Sequence, residues 1–426
     1  MLSCLVAHAS SLPSPIHNFL RTRSPGFEWT AWGDSYASGV GAGEYIDGRR
    51  CLRYNGAYPV EISVDTNNLL ATTGGGVFNN VVCSGAKVED VEAYQFFPEE
   101  AGAEPDWQYY PRPASGRPSM GTLTIGGDDV DFPGLLYSCI MESFPFPLSV
   151  GFEDRTCDQQ RALSWSLLSE DGDHITPNKT LVTKLDGLIK TIVAFGRDAS
   201  GDNFRLYVTG YAQFFNDTDP GCDNVTFART ASPDDDGEPH IMVTTALRQD
   251  FNAMSRILNL AIQQAVAMDS EANVKYIDID GFLYGHRFCE PGIQEPDQKN
   301  PNLWFYHYPY DQNDAEANDP AMQHLNTIVN KHAESIVFDP NTTLWTDHLN
   351  AVWSTIDEHA VNKAAALYVQ EFPSGNGTSE KYDFWGDSIG WRGKVFHPTK
   401  EFHLVIYGAI IEQYLKDTSA WPAVLE

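Results

Sequence analysis

A serine becomes a nucleophile only when a neighbouring base takes its proton. Ser35 sits where that can happen, in Trp32-Gly33-Asp34-Ser35-Tyr36-Ala37-Ser38-Gly39, directly behind the short apolar run at 27–32. A small polar residue at a strand-to-helix turn, beside a glycine that allows a tight backbone, can present its hydroxyl to a ligand. A lone Gly-Asp-Ser reads equally well as an ordinary strand-end turn. Three later blocks change that reading: Cys83-Ser84-Gly85-Ala86, the stretch 122–129 ending in Gly126-Gly127-Asp128-Asp129, and Phe396-His397-Pro398. Gly85 lacks a Cβ, so its N–H can approach a reacting carbonyl closely. His397 supplies a candidate general base.

Taken in order with their flanking residues, the four blocks resemble the SGNH (GDSL-type) hydrolases, and most of all their secreted, disulfide-containing Ser–His dyad esterase and lipase branch. The resemblance covers residues 27–290 and 390–415. It implies an α/β fold, a three-layer α/β/α sandwich with a central, mainly parallel sheet of flavodoxin-like type. It also implies carboxylic-ester hydrolysis through an acyl-Ser35 intermediate, with no cofactor. His397 would act as the base, and the backbone N–H groups of Ser35 and Gly85 would hold the oxyanion. The six cysteines outside the N-terminal segment would pair as Cys51–Cys83, Cys139–Cys157 and Cys222–Cys289. Spacing alone leaves fifteen connectivities for six cysteines.

Two positions depart from the family pattern. Where the third oxyanion donor is normally an asparagine amide, this chain has Asp128. An ionised carboxylate only accepts hydrogen bonds, and losing one oxyanion donor costs roughly 3–4 kcal/mol. Either Asp128 works protonated, its pKa raised by burial and by acids such as Asp129, or the donor is lost and the activity is weak. Where an aspartate usually orients the histidine, this chain has Lys394. A backbone carbonyl can do that work in a dyad, fixing the imidazole tautomer. His403 is the second candidate base. His286, in Gly285-His286-Arg287-Phe288-Cys289, matches a recurring family segment and reads as structural.

Other chemistries fit less well. The α/β-hydrolase elbow Gly-X-Ser-X-Gly fails at Ala37, and Glu44 occupies the third glycine slot of a dinucleotide loop begun by Gly39 and Gly41. No His-Glu-X-X-His, EF-hand or Cys-X-X-Cys pattern occurs, so no metal is expected.

Elements of alternating type must hold these blocks. Strands are expected at 27–32, 122–126, 204–209 and 274–279, and helical stripes at 181–194, 251–265 and 402–414. Such alternation gives a parallel sheet with helices on both faces, and ligands gather at the carboxyl ends of its strands. Ser35 and Gly126–Asp129 both follow strand ends and can therefore meet. Residues 26–426 read as one domain with insertions near 96–120 and 290–385. The first holds Trp107, Tyr109 and Tyr110; the second holds Trp304-Phe305-Tyr306-His307-Tyr308 and a helix with Trp345, Leu349, Val352 and Ile356.

The net charge of −30 comes from 28 basic and 58 acidic residues, which excludes nucleic acid as a partner. No apolar run reaches the ~18 residues that would span a bilayer. Residues 1–25 are read as a leader or N-terminal extension with Leu2–Ala9 as a thin apolar core and Cys4 inside it. Five Asn-X-Ser/Thr sites, at Asn178, Asn216, Asn224, Asn341 and Asn376, are glycosylation candidates and support secretion. A cytosolic protein with free thiols is the alternative. The expected substrate is a small-molecule, lipid or polysaccharide ester handled by a monomer. The rival functions are a carbohydrate acetyl esterase acting on polysaccharide and a catalytically impaired glycan-binding protein.

Overall fold

A computed structural model describes residues 27–64, 76–98, 113–141, 155–170, 173–227, 240–269, 273–297, 300–307, 344, 347 and 393–418. The expected leader 1–25 with Cys4, the aromatic residues Trp107, Tyr109, Tyr110 and Tyr308, the helix with Trp345, and the sites Asn341 and Asn376 lie outside them.

The chain opens with β1 (Glu28–Gly33), buried on both faces after its first residue, as befits a central strand of a parallel sheet. It is followed by α1 (Ser35–Ser38), a small antiparallel pair β2 (Tyr45–Asp47) and β3 (Arg53–Tyr54), and α2 (Tyr58–Val64). Then come β4 (Val77–Asn80), α3 (Val88–Tyr94), β5 (Met120–Thr124), α4 (Phe132–Leu136) and α5 (Cys157–Leu168). The long helices α6 (Lys179–Ser200) and α7 (Thr245–Met268) flank β6 (Arg205–Thr209); β7 (Val274–Ile277) and α8 (Lys400–Asp417) complete the set.

The main sheet has the order β4-β1-β5-β6-β7, and every neighbouring pair is parallel. Counting only these five strands, the order is 2-1-3-4-5, that of flavodoxin-like sheets. Successive residues of a strand face opposite sides. Phe27, at the head of β1, meets Tyr414 of α8 at 5.9 Å between ring centroids, whereas Trp32 meets Phe195 of α6 at 6.2 Å. Helices α8 and α6 therefore cover opposite faces, giving the three-layer α/β/α sandwich expected. The fully buried Trp29 stacks on Phe78 at 4.1 Å and ties β1 to β4.

The structure differs from expectation in detail. The strand expected at 122–126 runs from Met120 to Thr124, because Gly126 turns the chain away at φ 120°. Strand β4 and the β2–β3 pair were not expected. Strand β4 is short, half-buried throughout and ends in two asparagines, so it lacks an alternating signature.

Candidate active site

Ser35 starts α1 directly behind β1. Asp34 is the N-cap, its Oδ1 accepting from the Tyr36 N–H at 3.0 Å. The strand end is pinned from three sides. Asp34 N donates to Thr124 O at 3.0 Å, Cys83 N donates to Gly33 O at 2.9 Å, and the Gln95 side chain bridges the N–H and C=O of Gly33. Gly33 lies at φ 144°, and a Cβ there would stand 2.3 Å from Thr124 O, so no other residue fits.

Gly85 enters from the loop after β4 at φ 76°. The disulfide Cys51–Cys83 fixes this loop, and Ser84 N donates to Cys51 O at 3.1 Å. The other two expected disulfides, Cys139–Cys157 and Cys222–Cys289, are also formed. Asp128 begins the 3-10 turn Asp128–Val130 behind β5.

His397 comes from the far end of the chain. Its segment is docked on residues 304–306: Phe396 N donates to Tyr306 O at 2.8 Å, Tyr306 N to His397 O at 3.0 Å, and Thr399 N to Trp304 O at 2.9 Å. Trp304 N in turn donates to His286 O at 3.1 Å, and the His286 ring stacks on Trp304 at 3.5 Å. His286 thus buttresses the histidine loop. Phe396 stands at φ 63°, a conformation that costs an L-residue about 1–2 kcal/mol. Its ring packs against Phe288, Phe214 and Phe215 at 4.6, 5.3 and 5.6 Å. At ~0.5–1.5 kcal/mol per aromatic pair, these contacts outweigh the strain.

Ser35, Gly85, Asp128 and His397, expected from four separate blocks, all line one cavity of about 150 Å³. His397 is buried. Its Nδ1 lies 3.2 Å from Val395 O, and among the described residues its Nε2 has no hydrogen-bond partner. A carbonyl only accepts, so Nδ1 carries the proton and Nε2 keeps its lone pair. Burial lowers the His397 pKa from 6.5 to about 4. His403 does not line the cavity; it is buried, and its Nδ1 accepts from Tyr58 N at 3.3 Å.

Three buried carboxyls gather behind Ser35. Burial pushes Asp34 up to about 7, against the pull of Tyr211 and the Tyr36 amide. Burial likewise lifts Asp129 to about 7; its Oδ2 accepts from Val88 N at 3.1 Å. Asp128 is held well above the usual carboxylate range by burial first, then by Asp34 and Asp129, with the Arg50 guanidinium pulling the other way. Asp34, not the sequence neighbour Asp129, is the stronger of the two acid influences.

Two tyrosines complete the site, and the sequence reading missed both. Tyr211 donates its hydroxyl to Asp34 Oδ2 and accepts from Gly127 N at 3.1 Å, joining the serine block to the Asp128 turn. The Asn259 side chain grips both backbone groups of Tyr211 at 2.7 Å. Tyr36 Oη donates to Phe396 O at 3.2 Å. The rest of the cavity wall is mostly apolar, including Leu52, Leu136, Met141, Leu168, Met254 and Leu258, with Arg50, Ser84 and Ser255 among its polar members. Among the described residues, no group of three or more His, Cys, Asp or Glu is arranged to hold a metal, and no helix is long and apolar enough to cross a membrane.

The fold is a three-layer α/β/α sandwich, and it brings the four blocks that resemble those of SGNH-type hydrolases to one cavity. No family model matches the chain. It is similar to Lipase 1 of Streptomyces coelicolor, with 26% identity over 188 residues, 44% of this chain and 53% of that protein. It is also similar to a lipase of Streptomyces rimosus, with 32% identity over 116 residues, 27% of this chain and 35% of that protein. The matches thus span about half and about a third of these curated relatives. Among solved structures, phospholipase A1 from Streptomyces albidoflavus NA297 aligns with 24% identity and a TM-score of 0.43, over 67% of this chain and 89% of that one. An extracellular lipase from Streptomyces rimosus aligns with 22% identity and a TM-score of 0.40, over 64% and 90%. The acetylxylan esterase Axe2 from Geobacillus stearothermophilus aligns with 12% identity and a TM-score of 0.25, over 62% and 80%.

Proposed function

We propose that the protein is a secreted serine hydrolase of carboxylic esters, working through a Ser35–His397 dyad and acting on esters with an extended acyl chain. The observation that carries the reading is His397 Nε2, buried and without a partner among the described residues, in the same cavity as Ser35 and Gly85, with its tautomer set by Val395 O. Ser35 Oγ attacks the ester carbonyl as its proton passes to Nε2. The backbone amides of Ser35 and Gly85, with the protonated carboxyl of Asp128, hold the oxyanion. Collapse expels the alcohol, which takes the proton from His397. Water then attacks the acyl-Ser35 carbonyl, giving its proton to Nε2. The acid leaves, and the proton returns to Ser35.

The apolar wall favours a lipid-like acyl group over acetate, since each buried CH₂ contributes roughly 0.8 kcal/mol. The similarity to two lipases points the same way. Three disulfides support an oxidising compartment. Of the sites suited to a glycan, Asn224 is exposed, while the amides of Asn178 and Asn216 donate to Ser166 O and Glu290 at 3.1 Å.

The test is hydrolysis of p-nitrophenyl esters from acetate to decanoate between about pH 4 and about pH 9, with wild type beside Ser35→Ala. Turnover that vanishes in the variant and rises with chain length supports the reading. Serine-dependent turnover confined to acetate moves the assignment to an acetyl esterase. Glycan binding without turnover, unchanged in Ser35→Ala, moves it to a binding protein.

A further inference from the structure

The absence of an acid at Lys394 leaves a positional question. A carbonyl can fix the tautomer of His397, but it is part of the same turn and cannot by itself hold that turn at a set distance from Ser35. General-base transfer needs the imidazole within roughly 2.6–3.2 Å of the hydroxyl, and a displacement of ~1 Å can cost about a hundredfold in rate. Lys394 does not replace the acid: its ammonium lies 5.2 Å from the centre of the Tyr306 ring.

One side of the histidine turn is fastened to the 304–306 segment by the backbone bonds from Phe396, Tyr306 and Thr399. The other side faces the nucleophile block. There Tyr36, the residue next to Ser35, donates its phenol to Phe396 O at 3.2 Å. The two groups are 360 residues apart in sequence, and the bond is buried. The other end of Tyr36 is equally fixed. Its N–H is held by Asp34, its ring meets the edge of Tyr211 at 5.1 Å, and the same ring lies 5.6 Å from the His397 imidazole. The loop just beyond closes the contact, since a Cβ on Gly41 would stand 2.5 Å from Lys394 Cβ. Burial and Asp34 keep the Tyr36 phenol protonated, so it remains a donor.

We propose that Tyr36 is the positioning residue of the dyad: its phenol, fastened to Phe396 O, holds the strained histidine turn at a fixed distance from the serine beside it. One residue then carries the nucleophile's register in its backbone and the base's register in its side chain. The mechanism needs no carboxylate at position 394, because the placement it would give His397 comes from the nucleophile side. This inference rests on Ser35 and His397 being nucleophile and base.

Tyr36→Phe removes the hydroxyl and keeps the ring. Wild type, Ser35→Ala and Tyr36→Phe are compared on p-nitrophenyl butyrate, with melting temperatures and the ¹⁵N signals of the His397 ring. The expected result is a kcat lowered about tenfold in Tyr36→Phe, the worth of one buried hydrogen bond, with KM unchanged. The imidazole should keep its Nδ1–H form in both proteins, because Val395 O sets the tautomer and Tyr36 sets only the position. A lower melting temperature with kcat unchanged would make Tyr36 a plain strut and overturn the proposal. So would a loss carried by KM alone, with kcat unchanged. Wild type without Ser35-dependent turnover instead removes the hydrolase reading itself, and the proposal with it.

Discussion

His397 Nδ1 stands 3.2 Å from the carbonyl oxygen of Val395, two residues back in the same turn. This bond leaves Nε2 as the basic nitrogen and adds no negative charge beside the ring. An imidazole backed by a carboxylate is pulled upward in pKa; this one is lowered by burial from 6.5 to about 4. As the base of the proposed dyad, His397 works deprotonated, so activity is lost as pH falls through the folded value. The acid limb of kcat/KM is therefore expected near pH 4, with no further rise between pH 5 and pH 7 from this group. A pH–rate profile checks it; an acid limb close to 6.5 would mean that His397 is not buried in the working enzyme.

On the proposed mechanism, Asp128 sets the opposite limb. Burial, Asp34 and Asp129 together raise its pKa, so its proton is present at acid pH and lost as pH rises through the raised value. A protonated carboxyl donates to the oxyanion, whereas the ionised form repels it. Activity should therefore decline on the alkaline side. Asp128→Asn donates at every pH and should abolish that decline while leaving the acid-side rate within a few-fold. Asp128→Ala should cost about 10²–10³ in kcat on the acid side, where wild type has its donor. Identical pH profiles for wild type and Asp128→Asn would mean that Asp128 has no donor role.

The four blocks were legible because each is local: a strand end, a glycine turn, a Gly-Gly turn and a His-Pro pair. The parallel sheet followed from the alternation of β-branched runs with helical stripes such as Leu181–Val193. What joins the blocks was not legible. The Tyr36 bond to Phe396 spans 360 residues, and the Tyr211 bond to Asp34 spans 177, so neither can be seen until the strand order is known. The same blindness made Asp129 the expected influence on Asp128, when Asp34 arrives from the neighbouring strand and acts more strongly. Strand β4 escaped because its four half-buried residues have neither alternation nor a continuous apolar run.

On the proposed function, the apolar side chains of the cavity wall set chain-length preference. If the acyl chain runs along Leu136, Met141, Met254 and Leu258, each added CH₂ gains roughly 0.8 kcal/mol of burial, about fourfold in kcat/KM, until the cavity is full. Met254→Trp should then lower kcat/KM for p-nitrophenyl decanoate by at least tenfold, about the effect of two methylenes, and leave p-nitrophenyl acetate nearly unchanged. Parallel loss on both esters would indicate general damage from overpacking, which costs about 1–3 kcal/mol, and would place the acyl chain elsewhere.

The disulfide Cys51–Cys83 links the loop carrying Gly85 to the turn carrying Arg50 and Leu52, all three of which line the cavity. It closes a loop with a sequence separation of 32, for which the chain-entropy account gives about 3–4 kcal/mol. The bridge also has a local task. Ser84 N donates to Cys51 O, and Cys83 N donates to Gly33 O, so the cystine holds the Gly85 amide against the end of β1. Replacing both cysteines by alanine should therefore lower the melting temperature and kcat together. The same change at Cys139 and Cys157, a pair with a separation of 18 whose half-cystines do not line the cavity, should lower the melting temperature with kcat kept within about twofold, as expected for a change away from the oxyanion donors. Thermal melting and single-ester kinetics on the two double variants separate these effects. Equal losses of kcat in both would show that the first bridge contributes only to global stability, and that the Gly85 loop is held by its backbone hydrogen bonds alone.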